Sequence, residues 1–129
     1  MGIIRIIFVE DEPDIRSIVE MAMGLDDNIY YKSFEDGPSA LRFVSETQQC
    51  FDMALLNFKL PFMTEIELHR QLRLIPILRN IVTALVTAHV SEDITGYKDL
   101  GISGYILKPF DPILLAKRLR DIYKEGRAT

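Results

Sequence analysis

Four short polar clusters in this chain carry the residue types of phosphorus chemistry. Glu10-Asp11-Glu12 ends the apolar run Ile6-Ile7-Phe8-Val9, and Asn57 ends the run Met53-Ala54-Leu55-Leu56. Thr87 ends a third run, and Lys108-Pro109 follows a fourth. Two carboxylates and a side-chain or backbone carbonyl form an oxygen-rich site suited to Mg2+. Glu10 and Asp11 are the metal candidates. A carboxylate at position 57 would complete such a site and attack phosphorus, with the metal offsetting the charge of the incoming group. The Thr87 hydroxyl and the Lys108 ammonium would grip phosphoryl oxygens. The sequence supplies an amide instead. Asn57 has a neutral, poorly nucleophilic oxygen and forms no acylphosphate. The missing charge weakens divalent-metal binding. It also deprives Lys108 of a partner, so its ammonium is expected to turn to Asp11 or Glu10.

Other polar residues fall near this constellation. Lys59, two positions past Asn57, is expected to face solvent at the rim, with the cation position itself as the alternative. His89 follows Thr87-Ala88 at the rim; it reads as a loop side chain, or alternatively as a pH-sensitive or partner-touching group. Tyr105 lies three residues before Lys108 and is expected beside the Thr87 strand end. It reads as a packed or half-exposed ring, with a functional switch as the alternative. His69, on a helical stretch beside Arg70, is expected at the surface. Cys50 is the only cysteine. It forms no internal disulfide and reads as a buried or half-buried small hydrophobe. Neither histidine has a metal-ligand partner at informative spacing, and no glycine-rich phosphate loop is present.

The elements that position these groups follow from periodicity. Residues 3–9, 29–34, 51–56, 81–86 and 104–107 are strand candidates. Apolar stripes at helical spacing follow each: Ile15, Ile18, Val19, Ala22 and Met23, then Ala40, Leu41 and Val44, then Ile66, Leu68 and Leu72. Thr64 is the expected cap of the third helix, with Glu67 completing a capping-box pattern. Ser91 is the expected cap of a weak fourth helix ending at Gly101, with Glu92 and Asp93 in its first turn. A fifth helix is expected over 111–123, followed by a frayed tail. Strand then helix, five times over, argues for a parallel sheet covered on both faces. The 48% hydrophobic content suits strands buried on both sides. Ligand chemistry in such folds lies beyond the carboxyl ends of the strands, where all four polar clusters fall.

Bulk properties narrow the function. A length of 129 residues points to one domain spanning 1–129. The net charge of −4 gives no basic field for nucleic acid. No apolar stretch reaches the roughly 20 residues of a membrane span. The first residues lack a signal peptide, so a cytoplasmic location is the default expectation.

These residues resemble the receiver domains of two-component response regulators. The resemblance runs through Ile6-Ile7-Phe8-Val9-Glu10-Asp11-Glu12-Pro13, Glu35-Asp36-Gly37, Phe51-Asp52-Met53-Ala54-Leu55-Leu56-Asn57, Leu60-Pro61, Val86-Thr87-Ala88 and the stretch from Gly101 to Phe110. It implies an α/β, doubly wound, flavodoxin-like fold with five parallel strands in the order 2-1-3-4-5. By the same resemblance, Glu10 and Asp11 fall on the acidic metal-binding pair and Asn57 on the phosphoacceptor aspartate. Thr87 and Tyr105 fall on the switch pair, and Lys108 on the phosphate-contacting lysine. Family members accept phosphoryl groups from histidine kinases and change the face made by the fourth helix, fifth strand and fifth helix, where many dimerise or bind partners. The departures cluster at the nucleophile. Asn57 replaces aspartate, Glu10 replaces the commoner aspartate, and Phe62-Met63-Thr64-Glu65 replaces a glycine-bearing loop. Phe62 places a large apolar ring where a partner can meet it.

The expected function is therefore a phosphorylation-independent, receiver-like interaction module in a two-component pathway. It would need no cofactor, have a weakened Mg2+ site and perform no enzymatic turnover. Its expected partner is a histidine kinase, another regulator or a second copy through the fourth-helix, fifth-strand, fifth-helix face, with no nucleic acid or membrane. The alternative is a Mg2+-dependent phosphoryl-accepting switch whose native residue at 57 is aspartate. A third reading, pH or ligand sensing at the altered pocket, rests on His89 and Lys59.

Overall fold

The three longest apolar runs become the centre of the sheet. The structure, a computed structural model, describes residues 2–88 and 96–128. Its five parallel strands are β1 (Ile4–Val9), β2 (Ile29–Phe34), β3 (Met53–Asn57), β4 (Val82–Thr87) and β5 (Gly104–Leu107). Their order is β2-β1-β3-β4-β5, as the resemblance implied. β3 and β4 are buried at every residue and β1 at all but Arg5, which is why their sequences show no polar alternation. Edge strand β2 alternates between half-buried and exposed over most of its length and tolerates Tyr30 and Lys32.

Helices α1 (Pro13–Gly24) and α2 (Gly37–Thr47) are followed by α3 (Glu65–Leu74), two single 3-10 turns (Pro76–Leu78 and Tyr97–Leu100) and a C-terminal helix (Pro112–Arg127). Alternate strand residues feed two cores. Ile7, Val9, Ala54 and Leu56 pack with Ala40, Val44, Leu68 and Leu72 of α2 and α3. Ile6, Phe8, Met53 and Leu55 pack with Val19, Met23, Leu115 and Leu119 of α1 and the C-terminal helix. Arg120 pairs with Asp26, which ties the C-terminal helix to the turn after α1 and lowers the Asp26 carboxyl pKa.

Helix starts follow their caps. Asp36 Oδ1 accepts from Ser39 N at 2.8 Å, and Thr64 Oγ1 accepts from Glu67 N at 3.1 Å. Asp111 Oδ1 accepts from Ile113 N at 2.9 Å. Each occupies an N–H that the helix itself cannot pair. Gly101 ends the second 3-10 turn with φ of 86°, a left-handed conformation that glycine adopts without a side-chain clash. The expected fourth-helix start at Ser91, Glu92 and Asp93 lies outside the described residues.

Three expectations change. The C-terminal helix does not fray after Tyr123 but continues to Arg127. Gly126 explains this: a Cβ there would sit 2.6 Å from Val82 Cγ1 and 2.6 Å from Ser103 Oγ, so its bare backbone lets the last turn dock on the sheet. His69 is not at the surface; it is 2% exposed, between α3 and β4. Its Nε2 lies 2.9 Å from the Leu100 carbonyl, which only accepts, so Nε2 carries the proton. Nδ1 then accepts from the Thr83 hydroxyl at 2.8 Å. Cys50 is exposed rather than buried. β3 begins only at Met53, which leaves Cys50 in the connection, its carbonyl accepting from Arg5 Nε at 3.0 Å. Among the described residues, no helix is long and apolar enough to cross a membrane.

Candidate functional site

Register brings the polar strand ends to one edge. Val9 is level with Leu56, Asn57 with Val86, and Thr87 with Leu107. Glu10, Asn57, Thr87 and Lys108 therefore meet beyond the carboxyl ends of β1, β3, β4 and β5. The Lys108–Pro109 peptide bond is cis.

The Asn57 amide is the hinge of the cluster. Its Nδ2 donates to Asp11 Oδ1 at 2.9 Å, and its Oδ1 accepts from Lys108 Nζ at 3.0 Å. The amide has one donating and one accepting end, and each faces the matching charge. A carboxylate at 57 would satisfy Lys108 but present only acceptors to Asp11. Lys108 Nζ also lies 3.5 Å from Glu10 Oε1. The ammonium thus keeps position 57, through oxygen, while reaching Glu10 rather than Asp11.

Glu10 is 0% exposed. Burial pushes its carboxyl pKa up, against the opposing pull of the Glu12 N–H and the Lys108 charge. Its Oε2 accepts from Glu12 N at 3.2 Å, and its carbonyl accepts from Arg16 Nη1 at 2.7 Å. A raised folded pKa contributes stability that is complete below the ordinary carboxyl range and lost as pH rises through the folded value. Lys108 is the cation that favours the ionised form of Glu10. Lys108→Met is expected to cost about 1–3 kcal/mol near neutral pH, because the buried Glu10 carboxyl group and the Asn57 carbonyl lose their donor. Adding Glu10→Gln should recover part of that loss. Urea unfolding of the two single variants and the double variant measures it, and additive losses would show that the pair is uncoupled.

As arranged, these residues do not present a donor set for tightly held Mg2+. That ion asks for oxygen ligands in near-octahedral array. Here an ammonium and an amide N–H point at the acidic pair instead. Among the described residues, no group of three or more His, Cys, Asp or Glu is placed to hold a metal.

The remaining predicted residues separate into near and far. Thr87 is buried at the β4 tip, and its carbonyl accepts from Lys108 N at 2.7 Å. Tyr105 pairs across the sheet with Leu85, not Thr87, and its half-buried ring packs against the α2–α3 core. Lys59 does not enter the acidic pocket. It is exposed, with Nζ 5.4 Å from the centre of the Phe58 ring. Phe62 is 87% exposed. Lys59 and Phe62 have φ of 63° and 68°, left-handed conformations that cost non-glycine residues about 1 kcal/mol or more. His89 lies outside the described residues.

Sequence reasoning passed over two residues that organise the site. Glu65 is buried, and its Oε2 accepts from Lys59 N at 3.1 Å, which helps hold the strained loop. Arg16 braces the Glu10 carbonyl from α1. An acidic residue in a first helical turn was the only available signal for Glu65, and it points equally well to a dipole role.

Sheet order, strand-end site and sequence together define a class. Residues 6–120 match the response regulator receiver domain, and the chain belongs to that family. It is similar to the chemotaxis protein CheY of Pseudomonas aeruginosa, with 26% identity over 121 residues, 93% of this chain and 96% of that protein. It is also similar to the transcriptional activator protein IrlR of Burkholderia pseudomallei, with 32% identity over 130 residues, 96% of this chain and 52% of that protein. The chain thus spans nearly all of its chemotaxis relatives and about half the length of the transcriptional regulators it matches. The chemotaxis response regulator CheY4 of Vibrio cholerae shares the fold, with a TM-score of 0.81 and 24% identity over 94% of this chain and 99% of that one. The five-stranded sheet is the flavodoxin-like receiver fold of two-component signalling.

Proposed function

We propose that this receiver domain signals without phosphorylation at position 57, by docking a protein partner through a preset surface. The observation that carries the reading is the Asn57 amide, hydrogen-bonded at both ends to Asp11 and Lys108. It supplies no attacking oxyanion, and it occupies the ammonium that would otherwise hold a phosphoryl oxygen. The reading needs no cofactor and no turnover. Its partner is a histidine kinase, another regulator or a second copy of the chain. Exposed Phe62, beside the site, offers such a partner an aromatic contact.

Incubation with acetyl phosphate and Mg2+, or with a histidine kinase, followed by intact-mass measurement, is expected to return the unmodified mass. A stoichiometric, acid-labile phosphoryl adduct on this chain would overturn the reading. The second reading, a phosphoryl-accepting switch with aspartate native at 57, draws on the buried Glu10 and Thr87 and the half-buried Lys108 that still surround the position. Asn57→Asp separates the two chemically and is argued in the Discussion.

A further inference from the structure

The end of the sheet opposite Asn57 carries a cleft of about 970 Å3, unused by the function proposed above. The segments entering β3, β4 and β5 form its floor, with the ends of α3 and the C-terminal helix at its sides. Three arginines line it: Arg73 from α3, Arg79 from the turn before β4, and Arg127 from the last turn of the C-terminal helix. Asp52 is the only carboxylate among the described lining residues, and its Oδ2 already accepts from Arg5 N at 2.9 Å. The cleft is therefore locally cationic in a chain of net charge −4.

Two features make this a shaped site rather than scattered surface charge. Arg73 and Arg79 have no carboxylate partner among the described residues. Arg127 is held in place, its Nη1 donating to Tyr123 Oη at 3.1 Å. The backbone makes room for the arrangement. Gly126 lets the last helical turn press onto Val82 and Ser103, which carries Arg127 to the cleft. A Cβ on Gly101 would come within 3.2 Å of Arg73 Nη1.

Charge and size together select the ligand. Guanidinium forks match phosphate oxygens in paired hydrogen bonds. The volume lies near the upper end of the 300–1,000 Å3 typical of small-molecule sites, so there is room for more than a phosphate. Pro76 and Ile77 supply an apolar wall, with Ile77 43% exposed. We infer that this cleft binds a phosphorylated small molecule of nucleotide size, with its phosphates on Arg79 and Arg127 and its remainder against Pro76 and Ile77. This site is independent of the chemistry at Asn57.

ADP and an acidic peptide serve as probes on the full chain, followed by amide chemical shifts and by the rate of Cys50 alkylation, since exposed Cys50 lines the same cleft. The expected result is saturable ADP binding that shifts Gly101, Ser103 and Gly126, leaves Asn57 unmoved and slows alkylation. The double substitution Arg79→Gln with Arg127→Gln should weaken ADP at least about tenfold, as loss of charge-assisted hydrogen bonds implies. Both arginines are exposed, so an unchanged urea midpoint is expected to show that the variant folds. Absence of saturable ADP binding, equal affinity in the folded double variant, or binding of the acidic peptide in place of ADP would each overturn the assignment.

Discussion

His69→Leu is expected to lower unfolding stability by about 2–4 kcal/mol near neutral pH, because the buried Thr83 hydroxyl and the part-buried Leu100 carbonyl lose their partner at once. The imidazole pins α3 to β4 through Thr83 and to the Tyr97–Leu100 turn through the Leu100 carbonyl. Thr83 is 0% exposed, so water cannot replace the lost bond without entering the core. The variant should also lose part of the protein's sensitivity to acid. Burial pushes the His69 pKa down, with the Arg73 and Arg70 charges adding to it against the Leu100 hydrogen bond. A histidine whose folded pKa is depressed contributes stability present above its unfolded pKa of about 6.5, lost as pH falls through the folded value. Glu10 acts in the opposite sense, since acidification favours its neutral buried form. The leucine variant retains Glu10, so the difference between the two stability curves isolates the histidine. Urea unfolding at about pH 7.5 and about pH 5.5 should show the wild type losing more on acidification than the variant. Parallel losses would mean that His69 is not kept neutral by the fold.

The sheet was legible because its chemistry is uniform. An unbroken apolar run such as Met53-Ala54-Leu55-Leu56 has few stable places other than a strand covered on both faces. The Thr64 cap was legible for a similar reason, since its hydroxyl answers a local need for an acceptor. His69 was not, because a stripe drawn through Ile66, Leu68 and Leu72 counts only apolar residues. A polar side chain on the buried edge of α3 becomes readable only once Thr83 and Leu100 are placed against it. The ordered last turn at Gly126 was not legible either. Glycine ordinarily weakens a helix, whereas here its missing side chain permits the docking that keeps the last turn ordered.

At the site, position in the chain announced which residues gather but not which atoms face each other. Strand ends placed Glu10, Asn57, Thr87 and Lys108 together. The structure closed the alternative left open for Lys59, the cation position itself, because that choice depends on loop direction. The left-handed conformation at Lys59, with its N–H donating to the Glu65 carboxylate, accompanies a side chain that lies over the Phe58 ring and not in the pocket. Tyr105 illustrates the same limit, since a register offset of two residues puts it opposite Leu85 instead of Thr87.

Asn57→Asp tests the chemistry most directly, because it changes one atom type at the centre of the cluster. The new carboxylate would face Asp11, where an N–H now donates at 2.9 Å, and a hydrogen bond would become a like-charge contact. Without divalent cations the variant is expected to be about 1–3 kcal/mol less stable than the wild type, the range for losing a part-buried bond to a charged group. Lys108 offsets only part of this, because Glu10 already draws on the same ammonium. Three convergent carboxylates form the oxygen-rich arrangement that the amide now prevents. Mg2+ should therefore restore the variant, by about 1.4 kcal/mol at tenfold excess over its dissociation constant, and leave the wild type nearly unmoved. Thermal melts with and without Mg2+ measure both expectations. A variant that responds to Mg2+ no more than the wild type would show that charge at position 57 is not what governs the pocket. Intact mass after acetyl phosphate then separates latent from absent chemistry. An acid-labile adduct on the variant alone would show that the amide is the one missing component for transfer. That outcome would leave docking as the mode of the chain that carries asparagine.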